Sequence, residues 1–128
     1  ATVSPMRMET HVTTSGARIV ADCYNANPAS VAAALRTIAG MRATRRVAVL
    51  GVMAELADAE REHATIASLA KELNIEVVAV DTALYGSRVV GIDEATALVA
   101  GLADGDVVLV KGSRVARLER VVSGLSLS

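Results

Sequence analysis

Four short apolar runs, residues 18–21, 46–50, 75–80 and 106–110, constrain the fold of this 128-residue chain more than any other feature. Each is rich in Val, Ile, Leu and Ala and is closed by turn-forming residues, the pattern of a buried strand. The last three are close to continuously apolar instead of alternating, which suits strands of a sheet covered on both faces. Residues 6–12 alternate less cleanly and read as an edge strand.

Helix-period segments lie between these runs. Ile66, Leu69, Ala70 and Leu73 share one face, as do Ala95, Leu98, Val99 and Leu102, and again Leu118, Val121, Val122 and Leu125. The i, i+3, i+4, i+7 spacing means that each face docks on the sheet. An earlier helix presents Val31, Ala34, Leu35 and Ile38, with Gly40 as its stop. Asn27 suits its N-cap with Pro28 at the first helical position, and Ser30 is a rival cap. Strand and helix in alternation imply an α/β fold: a doubly wound, mostly parallel, Rossmann-like sheet with right-handed crossovers, helices on both faces and an antiparallel edge strand.

Composition narrows the class. The length suits one domain, and the absence of Trp and Phe leaves a core of small and branched aliphatics. A net charge of −1 with dispersed Lys and Arg argues against nucleic-acid and membrane-surface partners. Cys23 is the single cysteine, so a reducing, cytoplasmic setting is expected. No apolar run reaches the roughly 18 residues of a membrane span. The start at Ala1 without Met is what a processed or excised piece looks like. Neither an internal repeat nor a linker interrupts the chain.

Ligands of doubly wound sheets bind outside the carboxyl ends of the strands, so the loops that follow them matter most. Residues 22–28 place Asp22, Tyr24, Asn25 and Asn27 at a strand end and a helix start, where free N–H groups and the helix dipole favour an anion. The plainer reading is that Asp22 and Asn27 cap and turn the chain. Residues 111–114, Lys-Gly-Ser-Arg, offer two cations and a hydroxyl suited to a carboxylate or phosphate, against ordinary surface charge with Ser113 as a cap. In the middle loop, Gly51-Val52-Met53-Ala54-Glu55-Leu56 precedes His63; a lone His there reads as structural or solvated, and Glu55 as a first-turn or pre-helix acid. Cys23 reads as an inert buried thiol. The chain has no Gly-x-x-x-x-Gly-Lys-Ser/Thr phosphate loop, no Gly-x-Gly-x-x-Gly, no His-Glu-x-x-His and no paired cysteines.

Taken in order, DCYNANP at residues 22–28, VLGVMAEL at 49–56 followed by His63, and VLVKGSR at 108–114 resemble the C-terminal domain of the Mur ligases. The resemblance spans about residues 5–122, and it is nearest to the members that add D-alanyl-D-alanine to UDP-N-acetylmuramoyl-tripeptide in cell-wall precursor synthesis. It implies that residues 1–128 are one domain of a three-domain cytoplasmic enzyme. The N-terminal domain would hold the UDP sugar and the central domain ATP and Mg2+. ATP would activate the acceptor carboxylate as an acyl phosphate, which the incoming amine attacks. This domain would close over the site, and by itself it would be inactive, with no catalytic residue of its own.

By the same resemblance, Arg7, Asp22 and Asn25 would face the nucleotide, and Tyr24, Asn27, Ser30, Lys111, Ser113 and Arg114 the incoming dipeptide. Three positions depart from the family pattern. Val52 stands where Asp is common, Ala57 where Gly is common, and Met6 where Gly is often found. Either another residue such as Glu55 compensates at Val52, or the usual Asp serves mainly structure. Two alternatives remain: another Mur-type ligase with a different amino-acid substrate, and a free-standing binding domain that has lost the reaction.

Overall fold

The computed structural model describes residues 9–128; Met6 and Arg7 lie outside the described residues. The elements run β1 (Glu9–Val12), β2 (Arg18–Asp22), α1 (Pro28–Ala39), β3 (Arg45–Leu50), α2 (Ala59–Glu72), β4 (Glu76–Val80), β5 (Arg88–Val90), α3 (Ile92–Ala100), β6 (Asp106–Lys111), a 3₁₀ turn (Arg114–Ala116) and α4 (Glu119–Ser123). The strands form one sheet in the order β1-β2-β6-β3-β4-β5. Only β1 pairs antiparallel, on the edge beside β2. The expected mixed, mostly parallel sheet is therefore present. No described helix is long and apolar enough to cross a membrane.

Alternation along each strand divides the core in two. Ile19, Ala21, Val47, Val49, Val108 and Val110 pack with α3 and α4 residues such as Val99 and Val121. Val20, Ala48, Leu50, Val107 and Leu109 pack on the other face with Val31, Leu35 and Ile38 of α1 and Ile66 and Ala70 of α2. Every strand of the central trio β2, β6 and β3 is thus covered twice, which is why those runs lack polar alternation.

Local signals explain the element ends. Asn27 caps α1: its side chain accepts from the Ser30 N–H at 2.9 Å, while the Ser30 hydroxyl accepts from the Asn27 N–H at 3.2 Å. The two residues are partners in a capping box instead of rivals. Gly40 follows α1 in a right-handed conformation, φ −81°, so left-handed freedom is not what ends the helix. Arg46 donates to the carbonyls of Ile38 in the last turn and of Met41 just beyond it, adding side-chain bonds at the helix end.

Two segments differ from the sequence expectation. Strand β5 escapes a hydrophobic reading because it is three residues long and exposes Arg88 and Val89 at the sheet edge. The segment after residue 113 is not one helix. A 3₁₀ turn runs into Arg117, whose φ of 54° breaks the helical path, and α4 has only five residues. Leu118, Val121 and Val122 still reach the core, since the apolar face survives the break.

Candidate functional site

Asp22 and Lys111 are the last residues of β2 and β6 and are direct partners in the parallel register. Ala21 and Val110 face the α3 side, so alternation turns the next residue of each strand to the α1 side. There the Lys111 Nζ donates to Asp22 Oδ2 at 2.7 Å and to the Asn25 carbonyl at 2.8 Å. Lys111 is 1% exposed and Asp22 6%. The first and last motif loops are therefore one bonded unit. Asp22 is a strand residue holding a cation, not a turn or cap residue. Its Oδ1 is buried without a hydrogen-bond partner, as is the Oγ of Ser113. Ser113 makes no side-chain cap to the turn that follows it.

The middle loop is tied down from three directions. The Gly51 N–H donates to the Lys111 carbonyl at 2.9 Å, and the Ser113 N–H donates to the Val52 carbonyl at 3.1 Å. Tyr85 Oη donates to the Gly51 carbonyl at 2.7 Å, and the Met53 N–H donates to His63 Nε2 at 2.9 Å. His63 Nδ1 then donates to the Ala59 carbonyl, which assigns the neutral Nδ1–H tautomer from its partners. His63 is fully buried and meets Tyr85 edge to face at 4.8 Å. Its role is structural, as its lone place in the sequence suggested. Close packing adds to the lock: a Cβ on Gly51 would lie 2.6 Å from the Cβ of Ala116.

Tyr85 has no signal in the sequence, being a single tyrosine in the loop between β4 and β5. Burial raises the pKa of its phenol above the usual range, so it stays a donor. Tyr85→Phe strands a buried carbonyl, and we expect a loss of about 1–3 kcal/mol in a urea titration. A loss near zero would mean that the Gly51 carbonyl finds another donor.

Cys23 is 1% exposed, and burial pushes its thiol up to about 12 from 9.0. A group that binds its proton more tightly when folded contributes stability below its unfolded value and loses it as the pH climbs from 9.0 towards 12. At neutral pH it is a small hydrophobe.

Above the locked loops opens a cleft of about 350 Å³ lined by Tyr24, Asn25, Ala26, Ala54, Glu55, Ser113, Arg114 and Val115. Four of the residues singled out in the sequence, Tyr24, Asn25, Ser113 and Arg114, line it directly. Arg114 lies over the Tyr24 ring, 5.5 Å from its centroid, so the two arms steady each other. Asn27 and Ser30 do not line it; their polar groups form the α1 cap. Asp22 and Lys111 lie beneath it, through Asn25. Arg7 is outside the described residues. A larger cleft of about 590 Å³ beside β1 is lined by Thr10, Val12, Ile19, Met41 and Leu127 among others, and none of the motif loops reaches it. Among the described residues no group of three His, Cys, Asp or Glu side chains comes together to hold a metal ion.

Residues 6–114 match the family described as Mur ligase, glutamate ligase domain. The chain belongs to the Mur ligase family. This Mur ligase domain is 38% identical over 136 residues to the UDP-N-acetylmuramoyl-tripeptide–D-alanyl-D-alanine ligase of Treponema pallidum, covering 93% of the chain and 30% of that protein. It is also 38% identical to the ligase of the same name from Mycobacterium bovis, covering 96% of the chain and 31% of that protein. Among solved structures, the MurF ligase of Thermotoga maritima in complex with ADP shares the fold, with a TM-score of 0.79 and 24% identity over 97% of the chain and 31% of that structure. The UDP-N-acetylmuramoylalanyl-D-glutamyl-2,6-diaminopimelate–D-alanyl-D-alanyl ligase of Acinetobacter baumannii matches with a TM-score of 0.77 and 28% identity, over 96% of the chain and 29% of that structure. The Mur ligase domain thus spans about a third of the length of the relatives it matches.

Proposed function

We propose that this chain is the C-terminal domain of a three-domain, cytoplasmic, ATP-dependent ligase that joins D-alanyl-D-alanine to UDP-N-acetylmuramoyl-tripeptide. The observation that carries this reading is the cleft itself: loops from three separate strand ends converge on it, and those loops are the three segments in which the sequence resembles the ligases. The other domains would bind the UDP sugar, ATP and Mg2+, and the dipeptide amine would attack an acyl phosphate formed there. Such an intermediate is lost to water, so a rigid closing wall that brings the amine in also protects it.

Within this chain we assign Asp22 and Asn25, with Arg7, to the nucleotide side and Tyr24, Ser113 and Arg114 to the dipeptide side. Arg114 is exposed and in no ion pair among the described residues, so it suits the dipeptide carboxylate. Lys111 acts from behind, through Asp22 and the Asn25 carbonyl, and Asn27 and Ser30 act by fixing the start of α1. The 128-residue chain alone is expected to release no phosphate from ATP, whereas the polypeptide that includes the other two domains should do so only with tripeptide acceptor and D-alanyl-D-alanine together. Turnover by the isolated chain, or indifference of the whole protein to the dipeptide, would overturn the reading.

A further inference from the structure

The loop that Lys111, Ser113, Tyr85 and His63 lock at Gly51, Val52 and Met53 leads directly into Glu55. That residue has φ +60°, a left-handed conformation that a long side chain rarely adopts. Asn74, Asp81 and Arg117 share this region; short polar residues such as Asn and Asp tolerate it, and Arg117 adopts it where the 3₁₀ turn meets α4, outside the cleft lining. Glu55 alone of the four adopts it within the lining of the cleft. Its carboxylate is exposed, has no hydrogen bond or ion pair among the described residues, and lines the same cleft as Arg114. Strain held in place by a rigid surround, at a residue that faces an open cleft, is the signature of a side chain kept for a ligand.

The polar content of the cleft says which ligand. Arg114 supplies a guanidinium, Ser113 an Oγ that is buried and unpartnered although the residue lines the cleft, and Glu55 a carboxylate, with the Tyr24 ring beneath the guanidinium. One cation and one anion, with the Ser113 and Tyr24 hydroxyls and the Asn25 amide as neutral polar groups, in a cleft of about 350 Å³ match a small zwitterion. We propose that Glu55 is a specificity-determining residue that holds the ligand's ammonium group while Arg114 and Ser113 take its carboxylate. The assignment rests on the dipeptide reading above and adds to it the pole that recognises the amine. The backbone locks at residues 51–53 serve this purpose, since they keep Glu55 from relaxing away from the cleft.

The test uses the ligase that includes this domain, with D-alanyl-D-alanine as substrate and N-acetyl-D-alanyl-D-alanine, which lacks the ammonium, as inhibitor. Glu55→Gln should raise KM for the dipeptide about 10- to 100-fold, leave KM for ATP unchanged, and leave inhibition by the acetylated dipeptide as it is in the unaltered enzyme. Arg114→Ala should weaken both. Glu55→Gly separates binding from folding: the 128-residue chain should unfold at the same temperature or up to about 4 °C higher, because glycine is unstrained at this φ, while the KM defect persists. A dipeptide KM within twofold of the unaltered enzyme in Glu55→Gln overturns the assignment. So does an equal loss of inhibition by the acetylated dipeptide, which would make Glu55 structural. If the unaltered ligase does not use D-alanyl-D-alanine at all, the dipeptide reading fails first and this one falls with it.

Discussion

Lys111→Met is expected to lower the stability of the folded chain by about 3–5 kcal/mol, the usual cost of removing one partner from a buried ion pair. Lys111 is 1% exposed and gives its ammonium to Asp22 Oδ2 and the Asn25 carbonyl. Methionine fills a similar volume, so the loss would come from a carboxylate and a carbonyl left buried without a donor. Urea unfolding of the two proteins measures it, and an unchanged slope would show that the loss is in stability and not in compactness. Asp22→Leu together with Lys111→Met should recover most of the loss, because two apolar groups in place of a buried pair are often neutral. If the single variant is as stable as the parent, the pair is not what joins the first and last loops.

In the proposed full-length ligase, Asp22→Ala is expected to reduce kcat/KM on the order of 100-fold, while Arg120→Ala stays within about twofold. A displacement of about 1 Å in a positioning element is enough for a loss of that size. Asp22 anchors Lys111, which holds the Asn25 carbonyl at the floor of the cleft, whereas Arg120 is exposed on α4, away from the cleft lining. Asp22→Asn, which keeps the shape and removes the charge, should fall between the two while remaining folded at the assay temperature. Equal effects at Asp22 and Arg120 would remove the basis for giving Asp22 a place in the site.

The central strands and the first helix were legible because their causes are local. A run such as Asp106–Lys111, short, Val-rich and without polar alternation, reads as a strand covered on both faces, and Asn27 with Pro28 is a local signal for a helix start. The motif loops were legible for the same reason, since each follows such a strand. Strand β5 was not, because three edge residues bury too little to leave a pattern. The length of α4 was not either, because the left-handed residue that separates it from the 3₁₀ turn is Arg117, a residue type with no preference for that conformation.

The candidate site divides along the same line. By itself the sequence determined which residues stand at the carboxyl ends of β2, β3 and β6, because hydrophobic period and turn chemistry act over a few residues. It could not show that Lys111 meets Asp22, since that bond depends on a strand order that places β6 beside β2 across a separation of 89 residues. Nor could it show Tyr85 and His63 holding the loop from which Glu55 projects. Those contacts are made only when separate elements are pressed together and each buried polar group must find a partner. Sequence thus named the two loops, 22–28 and 111–114, while tertiary structure made them one buried unit and moved Lys111 from the cleft to the support beneath it.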